Sequence, residues 1–350
     1  MTAADPSATM LATDFFADLD KGDPAPSWLT VSVGEAWDLA LPIEMTLIGV
    51  SENASFLLRR DGVPFAVLRL NRPGYLAGSG AVLSETAWVR AIAEDTDVAV
   101  PAPLAGADGE TVQTLVLEGG RESTGVLSPF VPGTMLEDRA DQERWFGRIG
   151  TATAQLHEHA RGWKRPAGFS RHDWALEHMI GADARWGRWR DQYLLERDRA
   201  LLARAEAAAL SVLGDGPART PDTWGLIHAD IRPSNVIVEG DAMTVIDFDD
   251  CGDSWFLYDF ASALTWMDHL PTAAGMAQDW IAGYREVRPT FSAADAEVAV
   301  ALDMVRCLTM LGWCTTHRAD ALPPTLADGV VPAALTVAER YLSSPTWLLD

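Results

Sequence analysis

Apolar and polar positions alternate over the first third of the chain and recur at helical spacing over most of the rest. From Ser27 to about Glu118 the apolar runs are short and bounded by turn residues. Glu44 to Ile48 is followed by a turn from Gly49 to Ala54, then Ser55 to Arg59, an Asp61-Gly62 turn and Phe65 to Leu70. β-branched and aromatic runs separated in this way predict an antiparallel meander. Val112 to Leu117 and Gly125 to Phe130 predict two further strands, joined by Glu118-Gly119-Gly120-Arg121. Ahead of them, Thr9 to Asp20 places Met10, Leu11, Phe15, Phe16 and Leu19 along one side of a short predicted helix, which Gly22 to Pro26 ends.

The period changes after Asp138. Trp145, Ile149, Ala152 and Leu156 follow at spacings of four, three and four, which makes one apolar helical face. His172 to Ala209, with Trp174, Trp186 and Trp189, predicts a Trp-rich helical insertion. Phe256 to Leu270, Ala273 to Val287, Ala293 to Ala319 and Val331 to Leu342 predict helices, the first two ended by Pro271 and Pro289. One more helix is expected over Ser84 to Arg90, with Ser84 as its N-cap. The Pro-rich run Ser128-Pro129-Phe130-Val131-Pro132-Gly133 marks a linker. The division that follows is an N-terminal extension (1–26), a small lobe (27–130) and a large lobe (131–350).

One stretch departs from these plain patterns. In Gly225 to Ala261, an apolar run enters His228-Ala229-Asp230, Asn235 follows five residues after Asp230, and Val236-Ile237-Val238 begins a hairpin. Glu239 to Ala242 is turn chemistry and Met243 to Ile246 returns, ending at Asp247. A tight hairpin therefore brings Asp230, Asn235 and Asp247 to one end. A hairpin needs a turn but not this set of side chains.

The wording His228-x-Asp230-x-x-x-x-Asn235, then Asp247-Phe248, resembles the catalytic and metal loops of kinases. Asp259-Phe260-Ala261, twelve residues beyond Asp247, narrows this to a resemblance to the aminoglycoside phosphotransferase and choline kinase superfamily. The Asp-Phe-Asp-Asp wording is most similar to its bacterial stress-response and homoserine-kinase-like members. The resemblance runs from about Ser27 onward, and its specific part is Leu226 to Ala261. It implies a two-lobed, protein-kinase-like α+β fold, with a small antiparallel β lobe, a larger mainly helical lobe, and ATP in the cleft.

The implied reaction moves the γ-phosphoryl group of ATP to a hydroxyl. Such transfer needs positioning and charge neutralisation more than covalent help. Magnesium takes oxygen ligands, usually one or two carboxylates plus the nucleotide phosphates, so Asn235 and Asp247 are the expected Mg2+ ligands. Asp230 is expected to accept or orient the acceptor proton, and Arg232 to place positive charge on the transferring group. His228 and Asp259 are expected to support the loop. Asp249 and Asp250, with Asp253 nearby, are candidates for neutralising an amine on the acceptor or holding a second magnesium. Trp266, Asp268 and Trp313 are acceptor-side candidates that are expected to pack instead.

In the small lobe the turn from Gly49 to Ser55, with Ser51 and Asn53, is the candidate phosphate cover, although only Gly49 of a glycine-rich loop is present. Arg69 stands where the kinase pattern has a strand lysine. The chain has two lysines, Lys21 and Lys164, neither on such a strand. Arg69 is expected to bind nucleotide phosphate with Glu85 as its partner. Phe130 and Val131 are the linker residues left to hydrogen-bond adenine, because Pro129 and Pro132 lack donors.

Bulk properties trim the alternatives. The chain has 350 residues, 48% of them hydrophobic, and a net charge of −23. That charge argues against a partner whose phosphates must be tracked, whether nucleic acid or an anionic membrane surface. Three cysteines show neither metal spacing nor an even framework. Together with the lack of a recognisable signal sequence and of any run read as a membrane span, they lead to the expectation of a cytoplasmic protein. The acceptor expected is small and amine-bearing: an amino alcohol, a hydroxy amino acid or an aminoglycoside. The alternatives are a Ser/Thr protein kinase of the stress-response type, set back by the short span from Asp247 to Asp259, and a nucleotide-binding pseudokinase. Oligomeric state is not legible.

Overall fold

Five antiparallel strands in the order β1-β2-β3-β5-β4 form the sheet of the first of two compact units. The structure, a computed structural model, describes residues 15–51, 53–73, 79–117, 120–214, 218–316 and 329–349. In chain order the elements are α1 (Ser27–Ala36), β1 (Glu44–Val50), β2 (Asn53–Arg60), β3 (Val63–Asn71), α2 (Ser79–Asp95), β4 (Val112–Val116) and β5 (Glu122–Pro129). There follow β6 (Thr134–Met135), α3 (Phe146–Gly162), α4 (Leu176–Met179), α5 (Glu196–Leu213), β7 (Trp224–Ile227), β8 (Val236–Glu239), β9 (Ala242–Val245) and β10 (Gly252–Trp255). Helices α6 (Tyr258–Leu264), α7 (Ala273–Val287), α8 (Ala293–Thr316) and α9 (Val330–Ser343) complete the chain.

The first unit comprises the described parts of Met1–Asp95, Ala99–Pro132 and Arg165–Ser170. Alternation along its strands buries Met45, Leu47, Phe56, Leu58, Ala66, Leu68 and Leu70 on one face. Phe15, Leu29, Val33 and Trp37 pack against them. Of the helix expected over Thr9 to Asp20, residues 9–14 lie outside the described residues, and Phe15–Asp18 form a turn. Asp23 and Ala25 hydrogen-bond the backbone of β1 instead.

Two expectations for this unit are corrected. Ser27–Ala36 is a helix, not part of the strand pattern. Its β-branched residues masked a short helical period that buries Leu29 and Val33. Ser84 is not an N-cap but sits inside α2, where its hydroxyl donates to Gly80 O (2.7 Å) and accepts from Ser170 N–H (2.8 Å). The helix begins earlier because the sequence before Ser84 is apolar enough to bury Ala81 and Val82.

The second unit holds the described parts of Thr96–Val98, Gly133–Lys164 and Arg171–Asp350. It is mainly helical, with a three-stranded sheet (β6-β8-β9) and a two-stranded one (β10-β7). Helices α3 and α7 meet at glycines: a Cβ on Gly150 would strike Trp280 O, and one on Gly283 would strike Gly147 O. Backbones approach this closely only without side chains, and the approach sets which residues of the two helices face each other. The expected helical insertion over His172 to Ala209 is corrected. Only Leu176–Met179 and α5 are α-helical there, because Trp174 and Trp186 are buried from irregular backbone and Trp189 from a short 3-10 turn rather than from one α-helical stripe.

Helix α8 also corrects the reading that no run is long and apolar enough to cross a membrane. Its best window has a mean hydropathy of 1.4, yet 78% of that window is buried inside the unit, as in a core helix.

Candidate active site

The hairpin β8–β9 pairs Val236 with Val245 and Glu239 with Ala242, so the residues before β8 and after β9 share one end. Ile246 fastens that end. Its N–H donates to Asn235 O (2.9 Å), and its carbonyl accepts from His228 Nε2 (3.0 Å). Asp247, the next residue, is exposed and has φ 61°. A non-glycine residue with positive φ is uncommon, and here it directs an acidic side chain off the end of a strand. The structure thus brings Asp230, Asn235 and Asp247 into one cluster.

The loop itself is held from below. Asp259, fully buried on the first turn of α6, accepts from His228 N–H at Oδ2 (3.2 Å) and from Ala229 N–H at Oδ1 (2.7 Å). Ala229 has φ 66°, so these two bonds fix a left-handed turn immediately before Asp230. Asp230 N–H donates to His228 Nδ1 (3.3 Å). That bond assigns His228 the tautomer with hydrogen on Nε2, the nitrogen that donates to Ile246.

Both oxygens of Asp230 have donors. Oδ2 accepts from Arg232 Nε (3.0 Å) and Asn235 Nδ2 (2.8 Å), and Oδ1 accepts from Arg306 Nη2. Asn235 Nδ2 also donates to Asp230 O (2.8 Å), so the oxygen of that amide is the atom left to face a cation. Burial works against the charge on Arg232, but the Asp230 carboxylate outweighs it and holds its pKa above the ordinary guanidinium value.

Arg306 was not among the sequence candidates. It lies on α8, is 1% exposed, and donates to Thr265 Oγ1 (3.0 Å), Ala229 O (3.2 Å) and Tyr258 OH (3.2 Å) as well as to Asp230. Its guanidinium lies 4.9 Å from the ring centre of Trp186. Burial opposes its charge, yet Tyr258 and Asp230 hold the pKa above the usual arginine value. A signal was present: Asp303 and Arg306 are two charges in an apolar helix, and a buried charge requires a partner.

A second missed group backs Asp259. His157 Nε2 donates to Asp259 Oδ2 (3.0 Å), Tyr284 OH donates to His157 Nδ1 (2.9 Å), and Arg288 Nη1 donates to Tyr284 OH (3.0 Å). Burial keeps the His157 pKa low against the opposing pull of Asp259, so the imidazole is neutral. Arg288 and Tyr284 line a cavity of about 560 Å3. A hydrogen-bonded chain thus runs from that cavity to the backbone N–H groups of His228 and Ala229.

Asp249 and Asp250 are buried. The Asp250 carbonyl accepts from Trp174 Nε1 (2.8 Å), the Asp249 carbonyl accepts from Arg171, and the charge of Asp250 is felt at Arg306.

In the first unit, Arg69 Nη2 and Glu85 Oε2 pair at 2.7 Å, with side chains 15% and 5% exposed. Three other candidates are placed differently from expectation. The Ser51 N–H is committed to Asn53 O (2.9 Å), and Asn53 is a buried residue of β2 paired with Asn71, so the Ser51 backbone donor is not open to a phosphate and Asn53 belongs to the sheet rather than to a loop. The Phe130 N–H donates to Phe65 O (3.0 Å), extending the β3–β5 ladder, which removes Phe130 as an adenine donor. Val131 is the candidate that remains in that segment.

Among the described residues, no cluster of three or more His, Cys, Asp or Glu is placed to hold a metal by itself. The Asn235 and Asp247 set fits a hard cation whose remaining ligands come from a nucleotide.

A family model described as the phosphotransferase enzyme family matches residues 46–290. The fold is similar to a solved microcompartment-associated aminopropanol kinase, with 33% identity, a TM-score of 0.81, and coverage of 93% of this chain and 99% of that one. The chain is 28% identical over 252 residues to a homoserine kinase of Gluconacetobacter diazotrophicus, covering 68% of this chain and 70% of that protein. It is 23% identical over 223 residues to the amicoumacin kinase of Bacillus subtilis, where the match covers 63% of this chain and 62% of that protein's length.

Proposed function

This chain belongs to the phosphotransferase enzyme family, and from that premise we propose that it transfers the γ-phosphoryl group of ATP to a hydroxyl of a small, amine-bearing acceptor. The observation that carries the reading is Asp230, aimed by Arg232, Asn235 and Arg306, on the same hairpin end as Asn235 and Asp247.

In this reading Asp230 accepts the hydrogen bond of the acceptor hydroxyl and points its oxygen lone pair at the phosphorus. With four hydrogen bonds from Arg232, Asn235 and Arg306 holding the Asp230 carboxylate and carbonyl, little rotational freedom is left to lose on reaching the transition state. Asn235 Oδ1 and Asp247 would hold Mg2+, which when bound neutralises charge developing on the nucleotide phosphates. Arg69, fixed by Glu85, would bind a phosphate oxygen, and Val131 N–H would bind the adenine. Asp259 takes no part in the transfer and keeps the loop backbone in its left-handed turn.

The amine-bearing acceptor is favoured by the likeness to the aminopropanol kinase, which spans nearly the whole of both chains. A panel of amino alcohols, hydroxy amino acids, aminoglycosides and casein-like proteins, read out as acceptor-dependent ADP release with Mg-ATP, tests it. Turnover on a small amine-bearing alcohol is expected. Release only with protein acceptors would replace this reading with a protein kinase.

A further inference from the structure

We propose that Arg171 is a positioning residue for the loop that follows Asp247: its forked guanidinium sets the backbone of residues 249–251 and thereby where the Asp247 carboxylate stands. The proposal rests on the phosphotransferase reading, in which Asp247 holds Mg2+, and deepens it by assigning the placement of that ligand to a segment far from it in sequence.

Three successive carbonyls of the acidic loop accept from side chains of one short segment, residues 171–174, and both stretches belong to the second unit. Arg171 Nε donates to Cys251 O (2.6 Å), and its Nη2 donates to Asp249 O. Asp250 O, between them, accepts from Trp174 Nε1 (2.8 Å). His172 Nε2 stands 3.2 Å from the same carbonyl, which can only accept, so this nitrogen carries the hydrogen. Asp249, Asp250 and Cys251 are all buried and lie ahead of β10. Buried carbonyls require donors, and side chains supply them here in place of a strand ladder.

The two backbones are locked together as well. Asp253 N–H donates to His172 O (3.0 Å), Trp174 N–H donates to Asp253 O (2.8 Å), and Ser254 Oγ donates to Trp174 O (2.9 Å). Gly252 admits this approach, since a Cβ there would stand 2.6 Å from His172 O.

Asp247 needs such support. Its φ of 61° is a conformation that a non-glycine residue keeps only where its neighbours over-determine it. On its N-terminal side Ile246 is bonded to Asn235 and His228. On its C-terminal side Cys251 N–H donates to Phe248 O (3.0 Å) and closes a turn, and Arg171 bridges two carbonyls of that turn. A guanidinium presents its N–H groups at a fixed spacing and can hold both carbonyls at once, whereas an ammonium is a single point of donation. Lysine at position 171 would keep the charge and lose the bridge.

The test uses the full chain, with Mn2+ as the probe for a hard cation and AMP-PNP as the nucleotide. Mn2+ affinity is read by electron paramagnetic resonance in the wild type, Arg171→Lys and Trp174→Phe. Arg171→Lys is expected to weaken Mn2+ binding by roughly tenfold or more, the effect of freeing a group that orients a metal ligand. Trp174→Phe, which removes a single donor, is expected to weaken it by a smaller factor. Without metal or nucleotide, amide hydrogen exchange at Cys251 and Asp253 is expected to be faster in Arg171→Lys. A merely structural role would lower the melting temperature and leave the Mn2+ affinity of the folded variant unchanged. Folded Arg171→Lys with wild-type Mn2+ affinity would therefore overturn the assignment, with the kinase reading intact, and Trp174→Phe decides in the same way if Arg171→Lys does not fold. A wild-type protein that binds no Mn2+ with AMP-PNP would instead sink the metal reading of Asp247, and this proposal with it.

Discussion

Arg306 Nη2 donates to Oδ1 of Asp230 across 76 residues of sequence, and the guanidinium that does so is almost wholly enclosed. The pair joins a core helix to the loop from His228 to Asn235 and makes Asp230 part of the packed interior. Buried pairs of this kind contribute less to stability than their contacts suggest, but removing one partner leaves the other charge without compensation.

Arg306→Met should therefore cost about 3–5 kcal/mol of stability and lower kcat even at temperatures where the variant stays folded. Arg306→Lys keeps the charge but cannot reach Thr265, Ala229, Tyr258 and Asp230 together, and should show an intermediate loss. Denaturant unfolding together with steady-state kinetics checks both. Wild-type stability in Arg306→Met would show that the charge at Asp230 is balanced in some other way.

Arg69→Ala should raise the KM for ATP by roughly tenfold or more with a smaller effect on acceptor KM. Glu85→Gln should produce a milder form of the same change, because Glu85 holds Arg69 in place (2.7 Å). An unchanged ATP KM in Arg69→Ala would remove the arginine from the nucleotide site.

The chain Arg288–Tyr284–His157–Asp259 should be felt at the proposed catalytic loop through the backbone of His228 and Ala229. Tyr284→Phe leaves His157 Nδ1 without its donor in the core, which should cost about 1–3 kcal/mol. Gly283→Ala should be worse, because its Cβ would meet the Gly147 carbonyl and force α3 and α7 apart. Thermal melts and kcat for the two variants test the order. A fully stable Gly283→Ala would show that the two helices can slide without disturbing His157.

The pH dependence of stability has a definite sign. His157 and His172 are both held below the ordinary histidine value of about 6.5; His172, with burial as the main cause and Arg185 and Arg171 adding to it, is pushed down to about 2. As pH falls below 6.5 the unfolded chain binds a proton at each position and the folded protein does not. Stability should then drop by up to about 1.4 kcal/mol per pH unit for each group. Unfolding midpoints between pH 7 and 5 measure it, and His172→Gln should flatten the slope. A midpoint that stays level over this range would contradict neutral burial of both rings.

The hairpin at Val236 to Val245 was legible because a tight turn and alternating side chains fix register, and register fixes what stands at the ends. Arg69 and Glu85 were legible as a pair for a similar reason: one strand and one helix each announce themselves by period. Helix α1 was not, because Thr30, Val31 and Val33 read locally as strand and only packing under the sheet decides otherwise. Nor was the linker donor, since nothing in Phe130 itself tells that its N–H continues a ladder to Phe65. Arg306, His157 and Tyr284 act through partners 76, 102 and 127 residues away. Separations of that length leave no periodic trace, only the oddity of a charge or an imidazole in an apolar stripe.

The most direct test of the central claim is Mg-dependent ADP release by the wild type and by Asp230→Ala and Asp247→Ala, each confirmed as folded, with an accepted small alcohol. The account predicts a loss on the order of a thousandfold or more in both variants, with Mg2+ dependence weakened in Asp247→Ala. Turnover at wild-type rates in either variant would contradict it.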